Sequence, residues 1–153
     1  MHVGRWQGAY RGLLPDEHLH ALDVARWTAG WQRLLTGERP RSATLVAVAD
    51  ERVVGFVDMV PARDEDAAAD AGEVTSIYVL PTAWGTGAGR ALMAAAVDSL
   101  RSEGFRAVTL WVLRDNDRAR RFYERAGWTL DGARKDDVVA GVPVTEVRYR
   151  RDL

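Results

Sequence analysis

Three glycines alternate along the stretch T-A-W-G-T-G-A-G-R, at positions 85, 87 and 89. Alternate glycines leave no Cβ between backbone and ligand, and successive peptide N–H groups can point outward together. The stretch follows a β-branched run, E-V-T-S-I-Y-V-L-P (73–81), and precedes the apolar pattern A-L-M-A-A-A (91–96). A glycine turn that opens a helix joins unpaired N–H groups to the positive end of the helix dipole, which is the chemistry of an anion site. A second reading of the same turn is structural, a way to let a helix pack close to its strand. The pattern G-T-G-A-G is not the G-x-G-x-x-G of dinucleotide-binding folds. No Gly-Lys-Ser/Thr follows it, as nucleotide-hydrolysing phosphate loops require.

What the chain lacks bounds its chemistry further. It has no cysteine, which excludes disulfides, thiolate zinc sites and a covalent acyl-cysteine intermediate. Lys135 is the only lysine among 21 Lys+Arg, so a Schiff-base mechanism is disfavoured. His18 and His20 sit two apart in a surface turn without a carboxylate partner of known metal-ligand spacing, and no metal is expected. A formal net charge of −1 gives no basic footprint for nucleic acid or an anionic membrane. No segment approaches the roughly 18 apolar residues of a membrane span, and no signal peptide opens the chain, so a cytoplasmic location is expected.

The elements that must position the turn follow from periodicity and breakers. At 153 residues with 47% hydrophobic content, the chain is expected to form one domain over 1–153. Val3, Trp6 and Tyr10 lie at helical spacing, and Asp23 can cap a helix from Val24 to Leu35 carrying Trp27, Trp31, Leu34 and Leu35. A-T-L-V-A-V-A (43–49) and V-V-G-F-V-D-M-V (53–60) predict an antiparallel hairpin. The acidic, alanine-rich run 62–71 is expected to be a mobile surface loop, with a short helical turn as the alternative. Strand 73–80 is followed by a helix from about Gly87 to Glu103, with Leu92, Met93, Ala96, Val97 and Leu100 on one face and Gly104 as its stop. Strand 105–113, a helix capped by D-N-D (115–117), and strands 128–134 and 142–150 around a D-D-V-V-A-G turn complete the order αα-ββ-βαβαββ. That order implies a mixed α/β fold: one central sheet of about six strands flanked by helices, with a parallel crossover from 73–80 to 105–113.

Y-V-L-P-T-A-W-G-T-G-A-G-R-A-L-M, followed about 25 residues later by N-D-R-A-R-R-F-Y-E-R-A-G-W, resembles the GNAT superfamily of acyl-CoA-dependent N-acyltransferases. The resemblance runs from about Arg11 to the C-terminus. It implies that the first block holds the pyrophosphate of acetyl-CoA through Gly85, Thr86, Gly87, Ala88, Gly89 and Arg90, and that the second packs along the pantetheine arm. Two departures stand out. Trp84 occupies the position where the family usually has Gln or Arg, leaving Arg90 to supply charge. The family's first strand would lie before Met1: either the sheet lacks an edge strand, or the true start is upstream, or another chain covers the exposed edge, which makes a homodimer one of the expectations.

Acyl transfer to an amine needs a neutral amine, donors for the thioester oxygen as it gains charge, and a proton for the departing thiolate. Without cysteine, direct attack in one ternary complex is the economical route. The resemblance places Glu73 where several members carry the general base; the alternative is a solvated strand-end glutamate. It places Tyr123 where a tyrosine protonates the thiolate, the alternative being a core tyrosine on the apolar face with Ala119 and Ala126. Asn116 matches an asparagine that contacts pantetheine, a role compatible with capping the helix. The backbone of Tyr78, Val79 and Leu80 is expected to pair with pantetheine and polarise the thioester. Tyr10, Trp27, Trp31 and Asp58 are candidates for an acceptor wall, with core packing as the alternative for the tryptophans. The expected activity is acetyl transfer to a primary amine on a small molecule or peptide. A rival is a non-catalytic acyl-CoA-binding domain, and an enzyme acting on protein N-termini or aminoacyl-tRNA is a third reading.

Overall fold

The computed structural model describes residues 29–153, apart from 31, 34, 140 and 141. Tyr10, His18, His20, Asp23, Trp27, Trp31 and Leu34 therefore lie outside the described residues. Between 29 and 36 the described residues are helical, within and just past the helix predicted over Val24–Leu35.

The first hairpin forms where β-branched residues concentrate: β1 spans Ala43–Ala49 and β2 spans Arg52–Pro61, joined through Asp50 and Glu51. Next come β3 (Ala71–Val79), α1 (Ala88–Ser102), β4 (Ala107–Leu113), α2 (Asp117–Arg125), β5 (Thr129–Val139) and β6 (Val142–Asp152). The six strands make one sheet in the order β1-β2-β3-β4-β6-β5. Among neighbouring strands only β3 and β4 run parallel, joined by the crossover through α1; α2 links β4 to β5, which are not neighbours in the sheet. No helix among the described residues is long and apolar enough to cross a membrane.

Helix α1 buries the face its spacing predicts, Leu92, Met93, Ala96, Val97 and Leu100. It packs on β1, β2 and β3. Its stop is also as read from sequence: Gly104 takes φ +82°, its N–H bonds Arg101 O, and Phe105 N–H bonds Leu100 O. The core continues through Val57, Met59, Val74, Val108 and Leu110 of the sheet to Trp128 and Tyr149, the largest fully buried side chains. The side chains alternating with these point to the opposite face, which carries the buried polar residues Asp58, Glu73 and Thr109.

Two expectations need correction. D-D-V-V is strand, not turn: Asp136 lies opposite Thr145 and Asp137 opposite Val144. The Asp136 carboxylate accepts from Thr145 Oγ1 (2.6 Å) and Arg134 Nη2 (3.1 Å), and these cross-strand and same-strand partners outweigh the turn preference of aspartate. The acidic loop 62–70 is not loose either. Arg148 of β6 binds Asp64 (3.0 Å), Asp66 (2.6 Å) and Asp131 (2.7 Å), and Trp111 Nε1 donates to Asp64. These partners stand so far away in sequence that local composition carries no trace of them.

Candidate active site

The site begins where two neighbouring strands part. β3 and β4 pair only through Ala71↔Ala107, Gly72↔Val108 and Glu73↔Thr109, although β3 runs on to Val79 and β4 to Leu113. The cause lies on the other side of β3. Asp58 of β2 faces Ser76 while the next residue, Met59, faces Val74, so Thr75 is an extra residue in β3. Such a bulge bends and twists the strand that carries it.

A buried carboxylate pins the bulge. Thr75 Oγ1 donates to Asp58 Oδ2 (2.6 Å), which also accepts from Arg39 Nη2 (3.0 Å), while Oδ1 accepts from Thr44 Oγ1 (2.6 Å) and Arg39 Nη1 (2.9 Å). Asp58 was a candidate for the acceptor wall. With both oxygens doubly bonded and the residue 3% exposed, it is instead a structural anchor.

Past the bulge, one edge of β3 has no strand partner among the described residues. Leu80 N–H bonds Val54 O (2.7 Å), and backbone groups of successive strand residues point to opposite edges. With Gly55 opposite Val79 and Val57 opposite Ile77, the N–H and C=O of Ile77 and Val79 face the side that β4 has left. The expectation for Tyr78, Val79 and Leu80 is therefore corrected. Leu80, by its bond to Val54, and Tyr78, by alternation, are turned to β2, and the outward pair is Ile77 and Val79. Val79 O accepts from Trp84 Nε1 (2.9 Å).

The free edge leads into the glycine loop. Pro81–Ala83 form a single 3₁₀ turn, Gly85 takes φ +77°, and Gly87 takes φ +92° as the N-cap of α1. Both angles lie in the left-handed region that favours glycine. Thr86 Oγ1 is turned inward onto Ala83 O (2.7 Å). Ala91 N–H makes the first bond of the helix, to Gly87 O, so the N–H groups of Ala88, Gly89 and Arg90 have no acceptor within it. The first turn has no acidic residue and Gly87 gives no side-chain cap, which leaves the N-terminus open to an anion.

Glu73 is the last residue before the strands part, and it is 5% exposed. The group that faces its carboxylate is charged. Arg63 clasps the carboxylate through Nη2 (2.6 Å) and Nε (3.0 Å), with its backbone N–H at 3.3 Å. The same hydrogen bond raises the Arg63 guanidinium above its ordinary value.

Helix α2 brings up the second block. Asn116 is its N-cap, and its side chain accepts from Ala119 N–H (3.2 Å). Tyr123 is 8% exposed within an aromatic group, its ring 5.5 Å from Phe122, 6.3 Å from Trp128 and 6.0 Å from Tyr149. The Tyr149 hydroxyl donates to Glu124 (2.6 Å) and accepts from Arg120 (3.1 Å), and burial pushes it above the usual tyrosine value. Phe122 closes the distance to the loop: a Cβ on Gly89 would stand 3.4 Å from its ring.

Ile77, Arg63 and the Asp58–Thr75 pin were not read from the sequence. Strand parity counted back from Leu80 identifies Ile77. Nothing local identifies a bulge or a partner ten residues away.

The model of the Acetyltransferase (GNAT) family matches residues 6–128. An uncharacterized N-acetyltransferase of Bacillus subtilis, YuaI, is 34% identical over 119 residues, covering 76% of this chain and 64% of that protein. The chain thus spans just under two thirds of that relative. An uncharacterized N-acetyltransferase of Mycobacterium tuberculosis is 37% identical over 122 residues, covering 80% of this chain and 74% of its own length. In fold, the crystal structure of the PaiA N-acetyltransferase of Thermoplasma acidophilum, solved with coenzyme A, superposes with a TM-score of 0.72 over 99% of this chain and 87% of that one, at 17% identity. With the family match covering most of the chain and the relatives agreeing with it, this protein belongs to the GNAT acetyltransferase family.

Proposed function

We propose that the protein transfers an acetyl group from acetyl-CoA to a primary amine, on a small molecule or peptide, by direct attack in a ternary complex. One observation carries this reading. The edge of Ile77 and Val79 that β4 leaves, where only Val79 O is engaged, by Trp84, runs among the described residues into an N–H-lined glycine turn, so an extended amide-bearing chain and a diphosphate are accommodated in series. The Thermoplasma neighbour's complex with coenzyme A supports the choice of ligand.

The residues present fit that ligand. The amides of Ala88, Gly89 and Arg90 face the anion without a competing carboxylate, and Ile77 and Val79 pair with the pantetheine amides as a further strand would. Acetyl-CoA supplies the acyl group as a thioester. An N–H of the free edge donates to the thioester oxygen as charge develops there. The amine nitrogen forms the bond to the acyl carbon as the C–S bond breaks. Glu73 takes the proton that the amine loses, and the Tyr123 hydroxyl gives one to the departing thiolate. For Glu73 to act, Arg63 swings out; its side chain is 67% exposed, so that path is open.

The test follows coenzyme A release with a thiol reagent across a panel of amines. Release above the hydrolysis background is expected with at least one amine, and Glu73→Gln should lower kcat by about 10²-fold or more. Tight coenzyme A binding without amine-dependent release would establish the non-catalytic reading instead. Wild-type turnover in Glu73→Gln would remove Glu73 from the mechanism.

A further inference from the structure

Residues 81–89 of the loop, P-T-A-W-G-T-G-A-G, carry no charged side chain, and Arg90 follows as the third residue of α1. Where a cation would be useful, Trp84 projects an indole that is 40% exposed. The indole is not idle. Its Nε1 is tied to Val79 O, which fixes the ring beside the open edge of β3, and the Arg118 guanidinium carbon stands 3.2 Å from the ring centroid.

Arg118 is the second residue of α2, in the half of a helix where the dipole disfavours a cation. Helix stability therefore does not account for it. Arg120 is committed to Tyr149 and to Arg114 O, Arg114 to Asp115 and Arg148 to its three aspartates, whereas Arg90, Arg121 and Arg125 are exposed and, unlike Arg118, stack on no ring among the described residues. Among the described residues Arg118 has no carboxylate partner, only the indole face. Stacking engages the flat face of a guanidinium and leaves the in-plane N–H fork available, the geometry that binds phosphate oxygens in pairs.

We propose that Arg118, held on the Trp84 indole, is a cation that grips the diphosphate of coenzyme A, supplied from α2 beside the charge that Arg90 brings. This rests on the coenzyme A reading above. Trp84 is then the platform that aims Arg118. The pair also ties the loop to α2 across the mouth of the gap between β3 and β4.

The test is calorimetric titration of the full chain with coenzyme A, dephospho-coenzyme A and, by competition, pantetheine, which has no diphosphate. Arg118→Gln should weaken coenzyme A and dephospho-coenzyme A alike, by about 10-fold, the scale of one charge-assisted contact, and leave pantetheine unchanged. Trp84→Leu should weaken the same two ligands, and Trp84→Arg placed in Arg118→Gln should restore them. Arg125→Gln, an exposed arginine farther along α2, should bind as wild type. Unchanged coenzyme A affinity in Arg118→Gln would overturn the proposal. So would a loss that vanishes with dephospho-coenzyme A, since that assigns the contact to the 3′-phosphate. Failure of the wild type to bind coenzyme A would refute the cofactor reading itself, a separate outcome.

Discussion

Replacing Gly55 by alanine tests the link between the packing of the sheet and the presentation of Val79. A Cβ at position 55 would stand 2.5 Å from Tyr78 O, 3.1 Å from Leu92 Cδ1 and 3.2 Å from Val79 Cα. Two of these neighbours are main chain and cannot rotate away. β2 is bonded to β1 on one edge and β3 on the other, and α1 lies beneath it, so the strand has no free direction in which to retreat. Overpacking of this kind costs about 1–3 kcal/mol, and the stiffer unfolded chain of alanine offsets about 0.4–1 kcal/mol. The net loss is then about 1–2 kcal/mol, or roughly 3–8 °C in Tm for a chain of this size.

Thermal and urea unfolding followed by circular dichroism should show that loss. Below the transition, coenzyme A affinity should also fall, because Val79 is both the residue opposite Gly55 and the last outward-facing residue of the free edge. Gly104→Ala is the companion. It stands at φ +82° with nothing within 4 Å of its added Cβ, so only left-handed strain of about 1–2 kcal/mol acts. It should lower Tm and leave coenzyme A binding intact. A Gly55→Ala protein that melts at or above the wild-type temperature, or binds coenzyme A as the wild type does, would refute the reasoning.

Tyr123→Phe keeps the aromatic packing and removes only the hydroxyl; kcat should fall about 10-fold or more while acetyl-CoA affinity measured by calorimetry holds. Asp58→Asn places an amide donor against Arg39 and the two threonines and strips the guanidinium of its charge partner. A loss of about 3 kcal/mol in urea unfolding is expected, and a loss under 1 kcal/mol would mean the carboxylate does not anchor the bulge. Asp66 is held below its usual 3.8 chiefly by its hydrogen bond to Arg148, and Asp136 below 3.8 by Thr145 and then Arg134. Carboxylates with lowered folded values contribute stability that is complete above the unfolded value and is lost as pH falls through the folded one. The urea midpoint should thus decline below about pH 4, and Arg148→Met should shrink the part of that decline due to Asp66.

The elements were legible because their signals are local. β1 coincides with A-T-L-V-A-V-A, and the buried face of α1 is the set of five residues picked by helical spacing. The glycine loop was legible too, since Gly85 and Gly87 take the left-handed angles that only their residue type makes inexpensive. What stayed hidden depends on pairing across distance. Aspartates at 136 and 137 read as turn formers until Thr145 and Arg134 are seen beside one of them. The run 62–71 reads as loose until Arg148 is placed under it. The clasp of Glu73 by Arg63 was not legible, because an arginine ten residues away in an acidic stretch has no distinguishing mark.

The bulge at Thr75 ties these strands of reasoning together. Had β3 continued in register with β2, nothing would turn it from β4, and the outward groups of Ile77 and Val79 would pair with β4 as those of a central strand do. One additional residue bends β3 just past Glu73, and the sheet opens from that point toward the glycine loop. Asp58 holds the extra residue in place from the neighbouring strand, with Arg39 and Thr44 completing its shell. The position of Glu73 at the apex of the opening and the length of free edge between it and the loop are thus consequences of one insertion. A carboxylate on β2, bonded only to Arg39, Thr44 and Thr75 among the described side chains, is therefore tied to the geometry of the opening. For that reason Asp58→Asn should alter coenzyme A affinity as well as stability, and an affinity identical to wild type in the folded variant would show that the opening persists without its pin.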